Sequence, residues 1–403
     1  MNVLIVNGYS ARNRGDGMII SQMARLFSAR GCSVRVMSDD PADAARYSVP
    51  RVEPLVRTWP SGGKRPSRFR LLGAVARAHM RPPVGNADIQ WADVCVSAGG
   101  GYLYDDGSRA ARLNLVLRLL PLRTAHRAGK QVVLFSQSIG PFASRRLGSL
   151  VARALANYAL VIVREEISAS MCADLGLRNV SVCDDIAFAL EPSTPPGNAR
   201  DLRGEVTVGV TVVNALPGVD AAGYARYREA LAQGLIGALR GRDEKVAVIS
   251  QVSAHAGDDD VRAGRELAQR LREADISARF INLGDVTDEE VAAVYGQLRL
   301  VVASRLHSAI LALCAQTPVL ALSYLPKTDG VFARMAMSDM VLPARRLEAA
   351  RLETQLRAAL ADAGQLAARV RAKLPEMRAS AASAVDLTLD AASSHRSSAA
   401  ASR

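Results

Sequence analysis

The residues best suited to chemistry in this 403-residue chain lie in the segment Ser304-Arg-Leu-His-Ser308. The segment follows an apolar run at 300–303 and opens a helical pattern that continues to Cys314. Arg305 and His307 would then lie at a helix N-terminus, where the backbone amides and the helix dipole attract anions. Of the five histidines, His307 alone lies at such a strand-to-helix junction. Guanidinium, imidazole and dipole together predict a binding site for a phosphate or a carboxylate.

Two further cations follow apolar runs that are typical of buried strands. Arg164 comes directly after one such run, where its guanidinium could bind a carboxylate or phosphate in a bidentate manner. The alternative is that Arg164 pairs with the two acidic residues that follow it. Lys327 lies in the segment Tyr324-Leu-Pro-Lys-Thr-Asp-Gly330 after the next run along the chain. Lys327 and Tyr324 would add to a cationic pocket formed with Arg305.

Glycine-rich turns provide a second kind of signal. The segment Asn13-Arg-Gly-Asp16 follows the first apolar run and precedes a helical pattern. Gly15 would let the backbone approach a ligand closely, and Asp16 is either a helix cap or a catalytic base. Gly99, Gly100 and Gly101 follow another run, at a strand's carboxyl end, where α/β proteins commonly bind ligands. The alternative for these three glycines is a tight turn with close backbone packing.

Polar residues also follow two other apolar runs. Ser138 opens the segment Ser138-Ile-Gly-Pro141, and Asp185 is the second of two consecutive aspartates. Asp185 is a candidate base or a simple helix cap. None of these turns has the G-x-G-x-x-G pattern, and no P-loop lysine follows, so dinucleotide or triphosphate binding gains little support.

Short apolar runs alternate with amphipathic stretches, a pattern that predicts β-α units and parallel sheets. In the first half, strands are predicted at 2–7, 33–37, 94–98, 131–137 and 160–163, with helices at 17–29 and 109–128. In the second half, strands are predicted at 206–213, 245–251, 279–283, 300–303 and 319–323, with helices at 224–239, 260–273, 288–298 and 306–315. The fold class is therefore α/β, with two Rossmann-like domains facing a cleft.

Composition divides the chain into four segments. Residues 1–190 form the predicted N-terminal domain, and the proline-rich stretch 191–204 is the predicted linker. Residues 205–375 form the predicted C-terminal domain. The tail 376–403 is dominated by Ala, Ser and Arg, so we expect it to be mostly disordered.

The net charge of +12 favours an anionic partner, but several partner classes are disfavoured. Aromatic residues make up only 4% of the chain and are not interleaved with basic ones, which argues against nucleic acid. No segment suits a membrane span, the start reads as a strand, and a cytoplasmic location is expected. The basic stretch 57–81 either lies against an anionic membrane, such as the inner face of the cell membrane, or is a solvated loop. Three consecutive acids at 258–260 suit helix capping better than a metal, so neither a metal nor a cofactor is expected.

Six short motifs, in this order and spacing, resemble the polysaccharide pyruvyl transferase family. They are Asn13-Arg-Gly-Asp16, Gly99-Gly-Gly101, Ser138-Ile-Gly-Pro141, Val163-Arg-Glu-Glu166, Ser304-Arg-Leu-His-Ser308 and Tyr324-Leu-Pro-Lys-Thr-Asp-Gly330. The resemblance covers roughly residues 1 to 345. It implies a glycosyltransferase-B-like fold, with the N-terminal domain on the acceptor side and the C-terminal domain on the donor side.

The resemblance also implies an activity. A pyruvyl group would pass from phosphoenolpyruvate, the donor substrate, to two hydroxyls of a sugar, forming a ketal on a cell-surface polysaccharide or its lipid-linked oligosaccharide precursor. The positions that match the family's donor site are Arg164, Arg305, Leu306, His307 and Lys327. His307 is the expected general acid or phosphate partner, and the base is Asp16 or Asp185.

Two other functions remain open at this stage. A glycosyltransferase or epimerase acting on a nucleotide sugar would share the fold and also bind an anionic donor. A non-catalytic binding protein of an envelope-assembly complex would tolerate loss of His307. The sequence leaves the oligomeric state unspecified.

Overall fold

The computed structural model describes residues 1–11, 13–40, 43–44, 47–56, 68–193, 208–250, 253–255, 258–283 and 286–401. The chain divides into two compact units. The first unit comprises Met1–Ala11, Asp16–Ile186 and Ala379–Arg403, and the second comprises Arg12–Gly15 and Ala187–Arg378. Most of the predicted linker at 191–204 lies outside the described residues.

A parallel sheet forms the centre of the first unit. Its strands are β1 (Asn2–Gly8), β2 (Ser33–Ser38), β3 (Arg51–Val52), β4 (Val94–Ser97), β5 (Gly100–Asp105), β6 (Gln131–Phe142), β7 (Leu160–Val163) and β8 (Val180–Val182). Their order is β3-β2-β1-β4-β6-β7-β8, and β5 pairs with β6. Both faces of such a sheet are covered, which explains why β4 and β7 are continuous apolar runs rather than alternating ones.

Helices connect these strands. They are α1 (Arg14–Ala29), α2 (Arg68–Met80), α3 (Ala87–Trp91), α4 (Arg109–Arg127), α5 (Arg145–Leu155) and α6 (Glu166–Asp174). Serines fix the starts of two of them: Ser108 accepts a hydrogen bond from the first turn of α4, and Ser144 does so for α5. Helix α2 lies within the basic stretch 57–81, of which residues 57–67 are outside the described part of the chain.

The second unit repeats the plan. Its strands are β9 (Val208–Thr211), β10 (Val246–Ser250), β11 (Ser253–His255), β12 (Asp258–Asp259), β13 (Ala278–Asn282), β14 (Leu300–Ala303), β15 (Val319–Ser323) and β16 (Val341–Pro343). Six of them form a parallel sheet in the order β13-β10-β9-β14-β15-β16, while β11 and β12 make a small antiparallel pair. Its helices are α7 (Ala221–Leu239), α8 (Val261–Glu273), α9 (Asp288–Tyr295), α10 (Leu306–Cys314), α11 (Pro326–Arg334) and α12 (Ala349–Ala361). The prediction of two parallel-sheet α/β domains is confirmed.

The described part of the chain ends in a long helix, α13 (Ala363–Ala401), so the prediction of a mostly disordered tail is wrong. Ala381, Val385, Thr388 and Ala392 are buried along one stripe of this helix. Their spacing is that of one helix face, and alanine is the strongest helix former, so the composition favours a packed helix here. Within the first unit, the Asp386 carboxylate of α13 also lies 2.5 Å from Arg30 Nε. Among the described residues, no helix is both long enough and apolar enough to cross a bilayer.

Candidate functional site

Two helices of the second unit begin side by side at one edge of its sheet. Strand β14 pairs in parallel with β9 and β15, so the turns that follow Ala303 and Ser323 leave adjacent strands. Helix α10 starts after the first turn and α11 after the second. Within the described part of the chain, neither start is capped by a side chain, so the first-turn amides of both helices are directed toward this edge. Two helix N-termini at one edge favour an anionic ligand.

Arg305 is held at this edge by a carboxylate. Asp260 accepts hydrogen bonds from Nε of Arg305 at 3.0 Å and from Nη2 at 2.7 Å. The Asp260 side chain is 1% exposed and that of Arg305 is 20% exposed. Asp260 also accepts a hydrogen bond from the Asn214 amide, but it makes no side-chain cap of α8, contrary to the capping predicted for 258–260. The bidentate contact fixes the direction of the guanidinium.

Buried polar groups of neighbouring elements hold the turn between β14 and α10 in place. The hydroxyls of Tyr227 and Ser304 lie 2.7 Å apart, and the Ser304 amide donates to Thr211 Oγ1 at 3.2 Å. Burial raises the pKa of Tyr227, so its hydroxyl keeps its proton. Ser308 Oγ, in the first turn of α10, is buried and has no hydrogen-bond partner among the described residues. The side chain of Leu306, the first residue of α10, is buried, so only the backbone of Leu306 could contact a ligand at this edge.

His307 lies against Gly15, which also belongs to the second unit. A Cβ atom at Gly15 would come 2.0 Å from Nδ1 of His307. Arg14 anchors this segment: its Nη1 donates to the Asp288 carboxylate and to the Val286 carbonyl, each at 2.9 Å. Gly15 therefore lies close to the imidazole of His307, and its approach to a ligand stays a prediction. Asn13, the preceding residue, is half-buried.

Lys327 and Tyr324 lie at the start of α11, and both are half-buried. The turn is held by Ser323, whose Oγ lies 2.8 Å from a carboxylate oxygen of Asp329 and 3.2 Å from the Leu325 carbonyl. The structure therefore brings the predicted Arg305, His307, Tyr324 and Lys327 to neighbouring strand ends of one sheet.

In the first unit, Arg164 follows β7 and is completely buried. Its Nη1 donates to Asp185 at 2.5 Å, and its Nε donates to Ser138 Oγ at 2.8 Å and lies 3.4 Å from Glu165. Burial opposes the charge of Arg164, but the carboxylates of Asp185 and Glu165, with a smaller contribution from Asp16, hold its pKa above the usual value. Nη2 of Arg164 is buried and makes no hydrogen bond with any described residue, so it has donor capacity for a ligand or a water.

The three consecutive glycines lie at a packed turn and at the start of a strand, and their contact with a ligand stays a prediction. A Cβ at Gly99 would come 3.1 Å from the Ser136 carbonyl oxygen, so a side chain there would press on β6. Gly100 and Gly101 are the first residues of β5, and Gly100 has φ +151°. The following Tyr102 donates to the Ala98 carbonyl at 2.8 Å, and burial raises the pKa of Tyr102 to about 12. No described group of three or more His, Cys, Asp or Glu residues could hold a metal ion.

Sequence reasoning missed two kinds of residue. Asp260 contacts Arg305 across 45 positions, and Thr211 and Tyr227 support Ser304 across 93 and 77 positions. Locally, the sequence shows only that Thr211 lies at a strand end and Asp260 lies before a helix. Both positions are common for such residues in any fold, so neither indicated a role at this site.

Comparison with known proteins gives a consistent picture. A family model described as polysaccharide pyruvyl transferase matches residues 13–326. The amylovoran biosynthesis protein AmsJ of Erwinia amylovora is 22% identical over 375 residues, covering 84% of this chain and 87% of AmsJ. Among solved structures, a candidate UDP-N-acetylglucosamine 2-epimerase from Listeria monocytogenes has a TM-score of 0.61 at 10% identity, covering 98% of this chain and 97% of that one. Sucrose-phosphate synthase from Thermosynechococcus elongatus has a TM-score of 0.60 at 13% identity, with 100% of both chains covered.

Proposed function

The chain belongs to the polysaccharide pyruvyl transferase family, and from this we propose that it transfers a pyruvyl group from phosphoenolpyruvate to a saccharide. The family match and the AmsJ relative support a role in exopolysaccharide synthesis. The acceptor in this proposal is a polysaccharide or its lipid-linked precursor, and the product is a ketal. A cytoplasmic location and contact with an anionic membrane remain predictions.

The observation that carries the proposal is the cationic edge of the second unit. Phosphoenolpyruvate has a phosphate and a carboxylate, which need two sets of donors. Arg305 offers a guanidinium held in a fixed direction by Asp260, and Lys327 offers an ammonium at the next strand end. The N-termini of α10 and α11 add backbone amides beside these side chains. Fixed donors of this kind stabilise developing negative charge on a departing phosphate.

The proposed reaction converts phosphoenolpyruvate and a sugar diol into a ketal and inorganic phosphate. A proton adds to the methylene carbon, which becomes a methyl group, and a sugar hydroxyl bonds to C2. The bond from C2 to the phosphate oxygen then breaks, and the second hydroxyl bonds to C2. The two sugar hydroxyls lose one proton each. One of these protons restores the acid that protonated the methylene carbon, and the other leaves with the phosphate. The reaction needs an acid, a base and a stabilised phosphate.

We assign the acid to His307 and the base to Asp16. His307 is half-buried beside Gly15, and imidazole is the side-chain group that most often serves as a general acid or base. The Asp185 carboxylate is buried and contacts Arg164, so it is better suited to positioning that guanidinium, and the half-buried Asp16 is the other candidate for the base. Arg164 would act through Nη2 on a carboxylate or phosphate of the substrate.

Thermal denaturation of the full chain with phosphoenolpyruvate tests the donor. A ligand at 100 times its Kd adds about 2.7 kcal/mol to the free energy of unfolding. We expect this stabilisation in the wild type, and Lys327→Met should weaken binding by about 10- to 100-fold, since a charged hydrogen bond is lost. Lys373→Met is the matched control, because Lys373 pairs with Glu376 on α13 and should leave binding unchanged.

Turnover completes the test. Phosphate release from phosphoenolpyruvate in the presence of a saccharide should be lost in His307→Ala while donor-induced stabilisation persists in part. Stabilisation by UDP-glucose but not by phosphoenolpyruvate would replace the proposal with a nucleotide-sugar enzyme. Full biological function of His307→Ala would instead indicate a non-catalytic binding protein.

A further inference from the structure

A cavity in the first unit is lined by none of the residues of the cationic edge. Its volume is about 160 Å³, and it opens at the carboxyl ends of β1 and β2 beside α4. Its polar lining includes Tyr9, Asp39, Asn114 and Arg118, and Leu117 is among its apolar residues. None of these five residues has a role in the proposed chemistry.

Arg118 is fixed in this cavity by the end of β1. Its Nη1 donates to the Asn7 carbonyl at 3.3 Å, and Asn7 Nδ2 donates back to the Arg118 carbonyl at 3.0 Å. Its Nε donates to Asn114 Oδ1 at 3.4 Å, and Nη1 lies 3.6 Å from the Asp39 carboxylate. The Arg118 side chain is 15% exposed and that of Asp39 is 9% exposed. A guanidinium held on several sides is preorganised to bind a ligand without further ordering.

The charges of the lining cancel. Arg118 and Asp39 form an ion pair, and the remaining residues that line the cavity are neutral. An anion would be attracted by Arg118 and repelled by Asp39, so the lining does not favour phosphate or carboxylate. A neutral ligand that carries several donors and acceptors is the better match, in contrast to the anion suited to the second unit.

The polar and aromatic groups together suit a sugar. Carboxylate, amide and guanidinium are planar groups that can each make two hydrogen bonds, as neighbouring hydroxyls on a ring require. The ring of Tyr9 lies beside them, with its centroid 5.9 Å from Cζ of Arg118, and an aromatic ring can cover the apolar face of a sugar. Leu117 provides further apolar contact.

The size of the cavity limits the ligand. A volume of about 160 Å³ is smaller than the pockets of about 300–1,000 Å³ that hold drug-sized ligands, which favours a small ligand such as one sugar residue.

We infer that this cavity binds one neutral sugar residue of the saccharide acceptor. Its identification as an acceptor site rests on the proposed function, whereas the binding of a sugar does not. Tyr102 connects the cavity to the candidate base in the same unit. Its hydroxyl accepts a hydrogen bond from Asn7 Nδ2 at 3.4 Å, and Asp16 is close enough to act electrostatically on Tyr102.

Two substitutions test the inference on the full-length protein. Leu117→Trp fills the cavity, and Asn114→Leu removes a polar group without removing Arg118. Leu150→Trp is the matched control, because Leu150 is 44% exposed on α5, outside the cavity lining. The probes are methyl glycosides of glucose, galactose, mannose and N-acetylglucosamine, with binding followed by saturation-transfer NMR titration. Midpoints of thermal unfolding check that each variant folds.

We expect at least one glycoside to bind the wild type and Leu150→Trp equally, and to bind both cavity variants about tenfold more weakly or not at all. Phosphoenolpyruvate-induced stabilisation should be unchanged in all variants. Equal glycoside binding in folded cavity variants would overturn the inference, as would binding of none of the four glycosides or displacement of the sugar by uridine. If glycosides behave as expected but phosphoenolpyruvate never binds, the donor proposal fails while the sugar site stands.

Discussion

Replacing Asp260 with asparagine tests whether its carboxylate holds Arg305 in place. Asp260 is 1% exposed and contacts Nε and Nη2 of Arg305 at 3.0 and 2.7 Å. Asparagine has nearly the same shape and keeps one acceptor oxygen, but it removes the negative charge and one of the two hydrogen bonds. The guanidinium then loses both its countercharge and its fixed direction.

The exposure of the pair sets the expected size of the effect. Breaking a fully buried pair costs about 3–5 kcal/mol, because a charge remains in a poorly solvated place. The Arg305 side chain is 20% exposed, so water can solvate part of its charge, and we expect a loss of about 2 kcal/mol. For a unit of this size the loss lowers the unfolding midpoint by about 4–8 °C.

The chain offers a matched control in Asp339, whose carboxylate contacts Arg369 at 2.7 and 2.8 Å in the same bidentate manner. These two side chains are 57% and 40% exposed, so Asp339→Asn should cost less than about 1 kcal/mol.

Calorimetry with and without phosphoenolpyruvate measures both consequences of Asp260→Asn. We expect the lower midpoint together with at least tenfold weaker donor binding, equivalent to about 1.4 kcal/mol. If Asp260→Asn bound phosphoenolpyruvate as the wild type does, orientation by Asp260 would not matter for the donor. If it also matched Asp339→Asn in stability, the argument from burial would be refuted.

Four further substitutions, one of them a control, probe other parts of the molecule. Gly15→Ala should cost about 1–3 kcal/mol and reduce turnover, because its methyl group would displace the imidazole of His307. Val385→Ala should cost about 2 kcal/mol by removing buried methyl groups from α13, whereas Leu387→Ala, at a position that is 36% exposed, should cost under about 0.5 kcal/mol. His79→Gln should reduce the loss of stability on acidification. Burial is the largest cause that lowers the pKa of His79 below its usual value of 6.5, and Arg123 and Arg127 lower it further. The hydrogen bond between His79 and the Val116 carbonyl acts in the opposite direction.

The sign of the His79 effect follows from proton binding. Below pH 6.5, the usual pKa of the imidazole, the unfolded chain takes up a proton that the folded chain resists. The contribution of neutral His79 to the free energy of unfolding is therefore present above pH 6.5. It is lost as the pH falls through the lowered pKa that His79 has in the folded state. Unfolding midpoints measured between pH 7 and 5 test this effect of His79. The same dependence of the midpoint on pH in the wild type and in His79→Gln would contradict it. An unchanged turnover rate in Gly15→Ala would contradict the prediction for that residue. Equal unfolding midpoints for Val385→Ala and Leu387→Ala would contradict the prediction for α13.

Strand ends were predictable because parallel strands are buried on both faces. The apolar runs at 160–163, 300–303 and 319–323 coincide with β7, β14 and β15. Once these strands are located, the position of the residues that follow them, including Arg305 and Lys327, is set by sheet geometry. This part of the candidate site needs no information about distant contacts.

The remaining features depend on distant partners or on competing physical effects. The alternative for Arg164 was a pair with the acids that follow it, yet Asp185, 21 positions away, makes the shorter contact. Asp260 suited a helix cap by its position, and only the folded chain brings it to Arg305. In α13 the low-complexity composition hid a helical stripe of small buried residues, because alanine counts little toward hydrophobicity but packs well.

The return of α13 to the first unit has a consequence for synthesis on the ribosome. Residues 379–403 belong to the unit that Met1 begins, whereas the second unit ends at Arg378. Translation therefore supplies every residue of the second unit before the first unit has its last helix. A nascent or prematurely ended chain lacks the stripe that contains Val385, and its first unit leaves apolar surface uncovered. Quality-control proteases and chaperones would then detect a missing C-terminus as a defect in the N-terminal half of the protein.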